Sequence, residues 1–217
     1  MPNLKPYLIG AAFPLVFAGA IGSIALSFGA VNVAADTPHS DLVYGLLSTA
    51  RENSIERRIH DIPVPESLQD SERIRRGAGN YGAMCANCHL IPEQKNSEIR
   101  AGLYPQPPNL AAGDSVGDTR YVEARQFWII KHGIKASGMP AWAQGGMGDD
   151  AIWDLVAFIN QLPETSKEEY QQLVDTSDGH SHAGTDDHNG DMNGMKSSIE
   201  SASNDVQGDH DADGHGH

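Results

Sequence analysis

Cys85-Ala86-Asn87-Cys88-His89 sets three reactive side chains at a fixed spacing. Two thiols three residues apart, with an imidazole directly after the second, form the C-x-x-C-H pattern of c-type haem attachment. The cysteines can add to the two vinyl groups on one edge of a porphyrin, and the next residue then brings an imidazole to the iron. Rival uses of the pair are poorly supplied. These are the only two cysteines among 217 residues, so a zinc ribbon or finger lacks its second ligand pair. A thioredoxin-like redox motif needs βαβ patterning, whereas the flanks read as helix. The pattern predicts one covalent haem c, linked through Cys85 and Cys88 and ligated by His89.

The second axial position decides the chemistry. Methionines stand at 1, 84, 139, 147, 192 and 195. Met84 adjoins Cys85 and cannot reach around the ring. Met139 lies fifty residues past His89, far enough to wrap a porphyrin, with Gly138 allowing a turn and Pro140 stiffening it. A loop methionine serves equally well as core filling. Met147 and His132 are the other candidates that spacing leaves open.

The elements that must position these groups read as helices. Ile74, Gly77, Ala78, Tyr81 and Cys85 recur at helical spacing after Ser71. A last helix opens at Asp149-Asp150, carries Ile152, Leu155, Val156, Ile159 and Leu162 on one stripe, and stops at Pro163. Small Gly77 beside Tyr81 offers a surface that this last helix can approach. Thr119 to His132 reads as a third helix ending at Gly133, and no convincing alternating strand occurs. About a hundred residues of short helices bury a thin core, which an apolar porphyrin would thicken.

Residues 70 to about 165 resemble a class I c-type cytochrome with one haem. Beside Cys85–His89, the resemblance rests on Gly77 and Tyr81 and on Asp150-Ala-Ile-Trp153-Asp-Leu-Val-Ala-Phe158. It extends to Pro108-Asn109-Leu110 and to Lys131-His132-Gly133-Ile134 through Gly138-Met139-Pro140-Ala141-Trp142. It implies a cytochrome c-like fold, an axial thioether from Met139, and a Pro108 carbonyl accepting a hydrogen bond from His89 beside Leu110. A soft thioether favours reduced iron, and iron with six ligands has no vacant site for substrate. The implied role is electron transfer between a redox donor and an acceptor, not catalysis. Trp128 and Trp142 are candidates to donate indole N–H groups to haem propionates, or else to pack.

The ends of the chain differ from this centre. From Tyr7 to Ala35 run 29 uncharged residues, where a bilayer core needs about 20. Residues 1–36 are expected to be a transmembrane anchor, with a signal segment cleaved after Val33-Ala34-Ala35 as the rival. Lys5 before the run and Asp36 and Asp41 after it orient the haem domain outward, so a bacterial inner membrane with the domain in the periplasm is expected. Residues 37–69 read as linker plus amphipathic helix. Ser40 is a candidate cap, and Leu42, Val43, Leu46, Leu47 and Ala50 form a stripe for docking a partner subunit or membrane, or for packing on the domain itself. Ile55 and Ile59 fall on another side.

A haem domain over 70–168 and a disordered tail over 169–217 complete the expected all-α organisation. Residues 175–217 carry ten acids and one lysine. The tail also holds His180, His182, His188, His210, His215 and His217, which with Met192 and Met195 could take Cu, Ni or Zn. A net charge of −14 with no basic face excludes nucleic acid as a partner. Alternatives to a free electron carrier are a subunit of a membrane oxidoreductase complex and a metal-handling protein that uses the tail.

Overall fold

The computed structural model describes residues 5–113 and 119–180, the side chains of residues 5–13 and 15 excepted. The helices in chain order are α1 (Lys5–Ser27), α2 (Asp41–Ile59), α3 (Ser71–Met84), α4 (Ala86–His89), α5 (Glu98–Gly102), α6 (Thr119–His132), α7 (Asp149–Gln161) and α8 (Lys167–Thr176). Single tight turns of helix at Leu110–Ala112, Trp142–Gly145 and Leu162–Glu164 join them. Among the described residues there is no strand, so the described fold is all-α.

The α3–α7 crossing is the largest contact between helices. Gly77 makes it possible. A Cβ there would strike the Asp154 backbone carbonyl and approach Phe158 Cβ to 2.8 Å, so any larger residue would force the helices apart. Around the crossing Ala78, Tyr81, Ile152, Leu155, Val156 and Phe158 are wholly buried. α6 adds Phe127, whose ring stacks on Trp153 with centroids 4.1 Å apart.

The crossing also buries a charge. Asp154 is 0% exposed; it accepts from Arg73 Nη1 at 2.8 Å and from Arg76 Nε at 2.7 Å. Burial raises the Asp154 carboxyl's pKa, and the guanidiniums of Arg76 and Arg73 oppose that rise. A carboxylate taken out of water is tolerable only with such partners. Both arginines sit on the first turns of α3, whose start is capped by the Asp70 carboxylate accepting from Glu72 and Arg73 N–H groups.

Three expectations from the sequence change. The uncharged run 7–35 is helical only to Ser27, after which Gly29 turns the chain with φ +70°. No helix among the described residues is long and apolar enough to cross a membrane; the described side chains of α1 begin at Pro14. The expected spanning helix is therefore absent from the described elements.

The domain also runs past residue 168. Ser166 and Glu169 form a reciprocal capping box that starts α8, and Tyr170 is buried against Tyr81 and Phe158. Gly82 lets Val174 approach α3 closely. Of the histidines in the tail, only His180 is described; His182, His188, His210, His215 and His217, with Met192 and Met195, lie outside the described residues.

The buried face of α2, finally, is not the expected stripe. Ile55 and Ile59 pack with Ala124, Trp128 and Ile129 of α6, while Leu42 and Leu46 remain 73% and 64% exposed.

Asp154→Ala strands two partly buried guanidiniums on α3. Chemical denaturation of the variant is expected to show a loss of about 3–5 kcal/mol.

Candidate functional site

A cavity of about 440 Å3 opens beside the end of α3, within the roughly 300–1,000 Å3 of ordinary ligand sites. Cys85, Cys88, His89, Pro108, Leu110, Met139 and Trp142 all line it. The sequence distributes these residues over 58 positions, from 85 to 142, and the fold brings them to one wall-lined space.

The motif is positioned by α3. Cys85 N–H donates to the Tyr81 carbonyl at 2.8 Å and continues the helix into the first thiol. His89 N–H donates to the Cys85 carbonyl at 2.8 Å, closing the turn of α4. The chain then reverses at Leu90, which takes φ +69°. Tyr81 secures that reversal, because its buried hydroxyl donates to the Leu90 carbonyl at 2.6 Å. Burial pushes the Tyr81 hydroxyl far above its ordinary pKa, so it stays a donor.

Cys85 and Cys88 form no disulfide. Burial pushes the Cys85 thiol up to about 12, with Cys88 adding to the rise. A thiol so hard to ionise is a poor zinc ligand and slow in disulfide exchange.

His89 donates from Nδ1 to the Pro108 carbonyl at 3.0 Å. That bond fixes the tautomer and leaves Nε2 unprotonated, the ring nitrogen able to take a metal. Burial lowers the imidazole's pKa, against the Pro108 bond that raises it and with Arg100 adding to the fall, so the ring is neutral. The proline loop is itself held. Arg100 Nε donates to the Pro107 carbonyl at 2.9 Å, and the Ser97 hydroxyl that caps α5 donates to the Asn87 carbonyl inside the motif.

Met139 sits on a loop shaped by its own backbone. Ile134 N–H donates to the Met139 carbonyl at 3.1 Å, and Met139 N–H donates to the Ser137 hydroxyl at 3.1 Å. Gly133 turns the chain with φ +65°, and a Cβ there would lie 2.7 Å from the Pro140 carbonyl carbon and the Ala141 nitrogen. Only glycine lets the end of α6 approach the methionine loop this closely.

The rivals fall elsewhere. Met147 is buried in the core and does not line the cavity. His132 is exposed and lies tilted against the Trp128 ring, with centroids 5.0 Å apart. Trp128 is likewise off the cavity wall, packed in the cluster beneath α2, the packing alternative of its two expected roles; Trp142 lines the cavity. Among the described residues no group of three or more His, Cys, Asp or Glu side chains could hold a metal ion.

The lining also takes residues that the sequence does not single out, among them Tyr44, Arg51 and Glu52 of α2 and Arg125 and Gln126 of α6. The one signal was the break in the apolar stripe at Arg51-Glu52.

Residues 72–159 match the family described as Cytochrome C oxidase, cbb3-type, subunit III. They form a class I c-type cytochrome domain. No curated protein and no solved structure matched the chain. A cytochrome c domain is an electron carrier built around covalently bound haem c, and the cavity suits that group in one testable respect. It joins paired thiols, a neutral imidazole with a free Nε2 and a thioether in mainly apolar surroundings, the donor set a porphyrin iron takes.

Tyr81→Phe keeps the Phe158 contact and leaves the Leu90 carbonyl unpaired. The expected loss is about 1–3 kcal/mol in urea denaturation.

Proposed function

We propose that this chain is a one-electron carrier whose iron is held between His89 and Met139, with Cys85 and Cys88 as the thioether links. The observation that carries this reading is the meeting, in one cavity, of the motif, the oriented His89 imidazole and the Met139 loop. Haem c, when bound, supplies a one-electron couple. The chain's residues do the rest. His89 is fixed in one tautomer by Pro108, which strengthens the imidazole as a donor. The Met139 thioether, a soft donor, stabilises the reduced state and raises the potential. Leu110, Ile130 and Ile134 give the cavity apolar walls, which suits a porphyrin face.

A second reading has its own support: the carrier works as a subunit of a membrane oxidoreductase. The family matched over 72–159 is named for a subunit of a membrane oxidase, and Leu42, Val43, Leu46 and Leu47 leave an apolar face of α2 exposed. On this reading residues 7–35, uncharged throughout, anchor the chain in the inner membrane. Lys5 on one side and Asp36 and Asp41 on the other support a haem domain on the periplasmic side. Co-purification of a stoichiometric partner in mild detergent supports the subunit; a carrier released alone from membranes by detergent, with no partner, defeats it.

Met139→Ala is expected to keep covalent haem but to lose the sulfur-to-iron absorption band of the ferric protein. Its reduced-to-oxidised equilibrium should fall by at least about tenfold, ~59 mV for a one-electron couple. An unchanged spectrum and potential would defeat the assignment of Met139.

A further inference from the structure

One wall of the cavity comes from a helix outside the family match. α2 ends at Ile59, before residue 72, yet supplies Tyr44, Arg51 and Glu52 to the lining. It is held against the domain from both ends. Ahead of it, His39 N–H donates to the Tyr104 hydroxyl at 3.1 Å; at its far end Ile55 and Ile59 bury against α6.

Apart from His89, the charged side chains lining the cavity are Arg51, Glu52 and Arg125. They form one cluster: Arg51 Nε donates to Glu52 Oε1 at 2.9 Å, and Arg125 Nη2 donates to Glu52 Oε2 at 2.8 Å. The arginines hold the Glu52 carboxyl below its ordinary pKa despite its partial burial, which acts the other way and is the largest influence on it. Next to Arg125 in the chain, Gln126 has its side-chain oxygen buried with no hydrogen-bond partner.

We propose that Arg51, Arg125 and Gln126 seat the two propionate carboxylates of the haem, with Glu52 orienting both guanidiniums. This rests on the haem reading above. A haem is apolar except at the edge bearing its two carboxylates, and the cavity has the same asymmetry, with cations only at the α2–α6 edge. Glu52 takes one N–H from each guanidinium, and a guanidinium has five. One carboxylate between two guanidiniums leaves the cluster positive, which suits an anionic edge and charge-assisted hydrogen bonds. The two ends of the Gln126 amide are interchangeable by rotation. Turned over, its NH2 group donates where its oxygen has no donor. A cluster that served only as a salt bridge joining α2 to α6 would be a weak one.

The test is the reduction potential of the full-length, haem-loaded protein, read by spectroelectrochemistry. R51Q/R125Q removes positive charge from beside the haem edge, so the reduced-to-oxidised ratio at a given applied potential should fall about tenfold, ~59 mV. E52Q removes a negative charge and should raise that ratio. Simple loosening of the wall admits water and favours oxidised iron in both variants. Shifts of opposite sign support the seat; shifts of one sign, or none, overturn it. If the double variant fails to mature, R51Q alone is judged against E52Q in the same way. A pyridine haemochrome assay on the unmodified protein separates the two levels. Absence of covalent haem overturns the carrier reading and the seat together, whereas haem present without opposite shifts overturns the seat alone.

Discussion

The α3–α7 crossing, with Asp154 buried between Arg73 and Arg76, is the constraint on which the site depends. Glycine at 77 sets how closely the helices approach, and the ion cluster sets their register, since a guanidinium displaced by one turn would leave a buried carboxylate unpaired. The far end of α3 then delivers Cys85, and the Tyr81 hydroxyl anchors the turn after His89. An error in the crossing at Gly77 would be transmitted along about two turns of rigid helix to Cys85.

Around that axis the two proposed ligands are prepared differently. His89 is oriented from outside its own segment, by a Pro108 carbonyl on a loop that Arg100 holds. Met139 is oriented from within its segment, by the Ser137 and Ile134 bonds and by the close approach at Gly133. Both arrangements exist in the polypeptide itself and require no iron to describe them. Ligands held this way change position little when the charge on the metal changes, which suits a group that only gains and loses an electron.

Much of this architecture is legible in the sequence because its signals are local. The C-x-x-C-H spacing, the stripe on α7 and the pairing of Gly77 with Tyr81 each lie within one helix or turn. The proline loop and the methionine loop are readable through family resemblance, since neither has a periodicity of its own. What escaped is non-local or low in contrast. Arg51 and Arg125 meet across 74 positions, and nothing in either helix announces the other. α8 is polar enough to pass for tail, although Ser166 and Glu169 carried a capping-box signature. On α2 the longer apolar stripe has the stronger pattern, while two isoleucines, Ile55 and Ile59, do the packing. Trp128 packs beneath α2, a choice between packing and a polar contact that residue type alone leaves open.

The bond from His39 to Tyr104 has a geometric consequence for the anchored reading. It pins the chain to the haem domain two residues before α2 begins, so only residues 28–38 separate α1 from a fixed point on the domain. Eleven residues span at most about 40 Å. A carrier on so short a leash searches a shallow hemisphere over the membrane surface, not the bulk of a compartment. Its encounters would be set by the lateral crowding of neighbours in the bilayer and by the local concentration the leash imposes.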